Sequence, residues 1–160
     1  MRELREVPGS APAWAVSLFV TSLALWFGGA VFLSAGVMPA LFTRLEPSEA
    51  GRIASLIFPI YFHAALAVGV VACVASFLVA RSGGRLWFAA TLLLVVMTAA
   101  QAWTTFVVAP EMSRIRGDAN RVLRFQELHR LSVRLNSVIL VGGLVLVAGS
   151  GFLLSKRDRS

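Results

Sequence analysis

No Asp, Glu, Lys or Arg occurs in four long stretches of this chain: Ala11 to Thr43, Ile53 to Ala80, Leu86 to Pro110 and Leu135 to Ser155. Each is long enough to cross a bilayer, because about 20 apolar residues rising about 1.5 Å apiece span the hydrocarbon core. With 58% hydrophobic and 14% charged residues in a chain of 160, four such spans and their connections leave no room for a separate soluble domain. The sequence is that of an integral membrane protein.

Other absences narrow the chemistry. Cys73 is the only cysteine, which excludes an intramolecular disulfide and a multi-cysteine metal site. In mid-span it reads as a small packing residue. No span holds an interior carboxylate, lysine or arginine, the group that proton-coupled transporters use at depth to bind and release the driving ion. There is no glycine-rich phosphate loop, H-E-x-x-H, C-x-x-C or G-x-S-x-G, so no catalytic residue is assigned and an enzyme is not expected. No cofactor or metal is assigned either. Internal repeats and low-complexity linkers are also missing.

Charge is present only at the span ends. The net charge of +7 would suggest nucleic acid in a soluble protein, but these arginines flank apolar spans and meet anionic headgroups instead, so the lipid bilayer is the expected partner and nucleic acid is not. The first stretch far exceeds a signal-peptide core, its basic flank is diluted by Glu3 and Glu6, and no clear cleavage site follows, so it is expected to be retained.

Lipid cannot hydrogen-bond to backbone, and the spans are continuous apolar runs rather than short alternating segments, so helices are expected rather than a barrel. The fold class is therefore all-α integral membrane: a four-transmembrane-helix up-down bundle with an amphipathic helix before the fourth span. The spans fall at about 13–42, 53–80, 86–109 and 135–155, within a single domain 1–160. Arg81 to Arg85 is a tight loop. Between Glu111 and Arg134 there is room for the amphipathic helix, 118–134, which Asp118 can cap and in which Val122, Phe125, Leu128 and Leu131 share one face. Small residues share faces within the spans: Gly29 and Gly36, then Ala65, Gly69, Ala72 and Ser76, then Gly142 and Gly149. Such faces let membrane helices approach closely, within one chain or between chains.

An even number of spans puts both termini on one side, here face A, with the Arg81–Arg85 loop. Counting inward from face A, His63, Thr105 and Asn136 reach a depth of about 27 to 30 Å and Gln101 lies one turn shallower, near the face B edge of the hydrocarbon. They form a candidate polar layer. A candidate outer charged layer, Arg44, Arg52, Glu111 and His129, counts to about 39 to 45 Å. The two histidines then do not meet unless the fourth helix breaks or tilts steeply. His63 reads most simply as a hydrogen-bond donor to Asn136 or to a backbone carbonyl, and His129 as an interfacial residue. Pro39, Pro59 and Pro110 also fall on the face B half; each either ends its span, Pro110 above all, or kinks it so that the face B mouth splays or caps.

Lysine and arginine number seven on face A (Arg2, Arg5, Arg81, Arg85, Lys156, Arg157, Arg159) and eight on face B (Arg44, Arg52, Arg114, Arg116, Arg121, Arg124, Arg130, Arg134). The counts are close to a tie under the positive-inside rule. A cytoplasmic face A is slightly favoured, in a plasma or bacterial inner membrane, because its charges sit directly at span ends in short segments while much of face B's belongs to one amphipathic helix.

In order along the chain, Trp26-Phe27-Gly28-Gly29 with Phe32, Pro39-Ala40-Leu41-Phe42, Phe58-Pro59 with Tyr61-Phe62, Pro110-Glu111-Met112, and Phe125, Leu128, His129, Ser132 and Asn136 at fixed spacing resemble the transmembrane protein 205-like family. That resemblance covers almost the whole chain and implies a small four-span domain of unknown biochemical function, with no catalytic residue to carry over. The opening tryptophan-glycine and Pro-Ala-Leu elements are also similar to the copper-resistance protein D type of membrane domain. Met38, Met97 and Met112 are scattered, however, where copper sites favour grouped ligands.

Three readings follow. The polar layer binds, senses or passes a small solute or ion at the face B mouth; or the chain is a structural or assembly subunit whose small-residue faces dock onto another membrane protein; or histidine holds copper or haem. The open partners besides lipid are a membrane protein and, as a homo-oligomer, a second copy of the chain.

Overall fold

The computed structural model describes residues 11–157, without the side chains of 82–83 and 152–157. Arg2, Glu3, Arg5, Glu6 and Arg159 lie outside the described residues, as do the side chains of Lys156 and Arg157. The described chain is four long helices and no strand: α1 (Ala13–Arg44), α2 (Pro47–Gly83), α3 (Arg85–Ile115) and α4 (Val122–Arg157). Each contains a segment long and apolar enough to cross a membrane. Around the bundle α1 packs on α2 and α4, and α3 packs on the same two, which closes a square. Successive helices are antiparallel, so α1 starts and α4 ends at one end of the bundle.

The connections are shorter than the sequence suggests. Leu45 and Glu46 join α1 to α2. Gly84 alone joins α2 to α3, with φ of 77°, a left-handed conformation that favours glycine. Gly117, at φ 81°, turns the chain after α3. Asp118 then accepts a bond from the Asn120 amide at 2.9 Å, which caps a single 3-10 turn, Ala119–Arg121. The expected amphipathic helix 118–134 is not a separate element: from Val122 onward it is the first part of α4, because nothing after that turn interrupts the ladder. Leu128 is buried there against Val108 and Ile115, and Met112, Phe125 and Leu135 flank them in a small second core.

Pro110 does not end its span, and neither does Pro39. Each follows a π-helical segment, Phe32–Val37 in α1 and Thr104–Val108 in α3, and the α-helix then resumes to Arg44 and Ile115. Proline has no N–H, and its ring collides with the carbonyl four residues back. That carbonyl belongs to Ala35 or Phe106, inside the π segment, where the one extra residue of a wider turn moves it aside. Pro59 sits within an uninterrupted α-helix.

The main core runs along the bundle axis through Phe19, Trp26, Trp87, Leu94, Met97, Ile139 and Leu146. Phe19 meets Trp87 edge-on, with ring centroids 5.3 Å apart. Glycines admit the bulky side chains. A Cβ on Gly69 of α2 would lie 2.9 Å from the Trp26 ring, one on Gly143 of α4 2.5 Å from the Phe27 ring, and one on Gly142 2.7 Å from Met97 Sδ. The Trp26-Phe27 pair thus wedges α1 against both its neighbours. Towards face B the packing loosens: Met38–Arg44 of α1 has no buried residue.

Candidate functional site

The polar layer divides into three parts that face different ways. Gln101 and Thr105, one turn apart on α3, are buried to 1% and 4% exposure. Gln101 Nε2 donates to the Phe62 carbonyl of α2 at 3.3 Å and to Thr105 Oγ1 at 3.4 Å, and Thr105 Oγ1 approaches the Phe62 and Gln101 carbonyls at 3.4 and 2.8 Å. This is an α2–α3 clamp on a single backbone carbonyl. Asn136 does not join it. Its Nδ2 donates to Ser34 Oγ at 3.0 Å and ties α4 to α1, across a sequence separation of 102.

His63 stands apart from both. It is exposed on the outer surface of α2, its ring edge-on to Phe106 with centroids 6.1 Å apart. Its Nδ1 bonds to the Pro59 carbonyl one turn back at 2.7 Å, and a carbonyl can only accept, so the proton sits on Nδ1. Of the two partners expected for His63 from sequence, the backbone carbonyl is the one it has, and Asn136 is not. Since α2 is uninterrupted, the outward turn follows from helical rotation: Ala65, two residues on and hence about 200° round, is buried.

In the outer layer Glu111 accepts from Arg124 Nε at 2.9 Å, and Arg124 also reaches Glu127 at 3.4 Å, both at the surface. Arg44, Arg52 and His129 are exposed and do not join that network. Because α4 is continuous from Val122, no break brings His129 towards His63. Among the described residues no group of three or more His, Cys, Asp and Glu side chains converges.

Sequence reasoning missed several polar contacts. Ser76 and Thr91 share a buried hydrogen bond of 2.7 Å between α2 and α3, and Cys73 Sγ lies 3.2 Å from Thr98 Oγ1 on the same seam. Ser34 was missed as well. Serine and threonine in helices can satisfy themselves on their own backbone, as Thr91 also does on the Trp87 carbonyl at 2.9 Å, so nothing in the sequence marks them as bridges. Two buried donors, Trp26 Nε1 and Tyr61 Oη, have no partner among the described residues. Both belong to the α1–α2 seam, where Trp26 packs at Gly69 and Tyr61 faces Gly29.

No solved structure matches the chain. It is 27% identical over 124 residues to an uncharacterized protein of Aquifex aeolicus (strain VF5), across 78% of this chain and 87% of that one. The family described as "Domain of unknown function (DUF4149)" matches residues 21–121, from the first third of α1 through the 3-10 turn that precedes α4, and the chain belongs to that family.

Proposed function

We propose that the protein is a non-enzymatic structural or assembly subunit of the membrane, docking onto another membrane protein. The observation that carries this reading is the use made of the polar groups within the spans. Gln101, Thr105, Asn136, Ser34, Ser76 and Thr91 all spend their hydrogen bonds on a neighbouring helix or their own, and the one ionisable member of the expected layer, His63, faces outward. Such bonds hold a bundle together and account for these polar groups without calling on a solute. The resemblance to the transmembrane protein 205-like family, a four-span domain with no catalytic residues to carry over, supports the same reading. The expected site is a plasma or bacterial inner membrane with both termini cytoplasmic, because the face A charges sit directly at span ends in short segments whereas much of the face B charge belongs to the amphipathic start of α4. Purification in a mild detergent tests the proposal: a stoichiometric membrane-protein partner supports it, and a monomer or homo-oligomer that co-purifies with no other protein overturns it.

Solute binding keeps one specific observation in its favour, the two buried donors Trp26 Nε1 and Tyr61 Oη. An unpaired donor shielded from water costs about 1–3 kcal/mol, which a guest acceptor would recover. The discriminating substitution is Tyr61→Phe, taken up below. Copper or haem binding through histidine gains nothing from the geometry, since His63 and His129 lie on separate outer surfaces.

A further inference from the structure

The four helices do not meet the face B boundary at the same height. Contacts between helices give the levels. Ser34 is bonded to Asn136, Phe27 lies against Gly143 and Met97 against Gly142, so Arg134 on α4 stands level with Gly36 on α1 and about level with Thr105 on α3. Thr105 in turn is bonded to Phe62 on α2. From those positions outward, the first charged residue is Arg44 on α1, Glu111 on α3 and Arg52 on α2. At about 1.5 Å per residue, the other three helices continue without charge for roughly 9 to 15 Å beyond the level of Arg134, the neighbours α1 and α3 for about 9 to 12 Å. Their surfaces there are apolar and exposed, with Ile60 at 76% and Phe106 at 63%. A flat bilayer edge fails either way: at Arg44 it buries arginine in hydrocarbon, and at Arg134 it leaves a broad apolar shoulder in water.

The outward face of α4 resolves the conflict. Arg130 and Arg134, one turn apart, are both exposed, and among the described residues neither pairs with a carboxylate: Asp118 is bonded to Arg121, and both Glu111 and Glu127 to Arg124. The same face continues through Val138, Val141 and Val145 at 4-3-4 spacing, all exposed. From Arg134 to Val145 the rise is about 16 Å, close to one leaflet of a hydrocarbon core about 30 Å thick. A two-arginine head above an apolar ridge one leaflet deep matches a single anionic phospholipid in length and complements it in charge.

We infer that α4 binds an anionic phospholipid, its phosphate held by Arg130 and Arg134 and an acyl chain laid along Val138, Val141 and Val145, and that this draws the headgroup layer inward and thins the bilayer beside α4. The inference is independent of the subunit role proposed above.

Native mass spectrometry of the full chain in detergent tests it, with phosphatidylglycerol, phosphatidylcholine and inorganic phosphate offered in turn. Phosphatidylglycerol is expected to be retained at one molecule per chain, and the other two not. The R130Q/R134Q variant is expected to bind it about 30-fold more weakly. The R44Q/R52Q variant removes the same charge from the same end and is expected to bind as the unmodified chain does. Equal retention of the two lipids by the unmodified chain overturns the site without recourse to any variant. So does an equal loss in the two double variants, which would reduce the effect to bulk charge, and retention of inorganic phosphate would replace a lipid site with a free-anion site.

Discussion

Gly143→Ala offers the sharpest test of the packing, because the same chemical change has the opposite sign elsewhere in the bundle. Replacing glycine by alanine inside a helix gains up to about 1 kcal/mol wherever the new methyl has room. At Gly28 nothing lies within 4 Å of the added Cβ, so Gly28→Ala is expected to stabilise by roughly 0.5–1 kcal/mol. At Gly143 the Cβ would meet the Phe27 ring at 2.5 Å, and also Phe27 Cγ at 3.2 Å and Cβ at 3.3 Å. Those atoms sit at the root of the side chain, so a rotation of the ring cannot clear them and α1 and α4 must separate. Overpacking of this kind costs about 1–3 kcal/mol, which after the propensity gain leaves a net loss of about 0.5–2 kcal/mol. Gly142→Ala is milder, because its closest neighbour is the flexible thioether of Met97. Reversible unfolding in mixed micelles with a rising fraction of denaturing detergent measures all three. Phe27→Leu is expected to recover part of the Gly143→Ala loss. Equal stability of Gly143→Ala and Gly28→Ala would refute the α1–α4 contact, and with it the register that places Arg134.

Four further substitutions, in three tests, probe the polar groups by the same unfolding assay. A double-mutant cycle on Ser34→Ala and Asn136→Ala is expected to give a coupling of about 0.6 kcal/mol, up to about 1.7, as for other hydrogen bonds between membrane helices, and a coupling of zero would remove the α1–α4 bridge. Tyr61→Phe deletes an unpartnered hydroxyl and is expected to leave stability unchanged or raised by about 1 kcal/mol; a loss of stability would mean that the hydroxyl is in use and would favour the solute reading. His63→Leu is expected to change stability by less than about 0.5 kcal/mol, because the ring's hydrogen bond stays within its own helix and leucine keeps an apolar contact with Phe106, and a larger loss would show that the ring has a polar partner beyond the Pro59 carbonyl.

Depth along the bundle was legible in the sequence, and direction around each helix was not used as fully as it could have been. Counting at 1.5 Å per residue is forgiving: a π segment that inserts one residue shifts a depth by only that much. Rotation is unforgiving, since one residue turns everything beyond it by about 100°. His63 illustrates an unused signal. The small-residue face Ala65, Gly69, Ala72 and Ser76 is recognisable from sequence as the packing face of α2, and His63, about 200° from Ala65 and 180° from Ala72, belongs on the opposite side. Gln101 and Thr105, at i and i+4, were correctly recognised as neighbours in depth; their shared acceptor, the Phe62 carbonyl, is a backbone group that no residue type announces.

The prolines show the converse. Pro39 and Pro110 were recognisable as helix disturbances, but a proline constrains only its own turn, and whether the chain stops, kinks or widens there depends on what the next residues can bury. After Pro110 the chain gains Ile115 and Met112 packed with Leu128, Phe125 and Leu135, so continuing as helix beyond the π turn is the favoured outcome. After Pro39 there is no such reward, and Met38–Arg44 buries nothing. The same local device thus extends α3 into a second small core while leaving the end of α1 without one, and that difference is why the face B end is closed by α3 and α4 yet loose along α1. If so, Pro110→Ala should disturb the packing of Leu128, read as cysteine accessibility at that position, while Pro39→Ala should not. Equal accessibility in the two variants would break the link between the π turn and the second core.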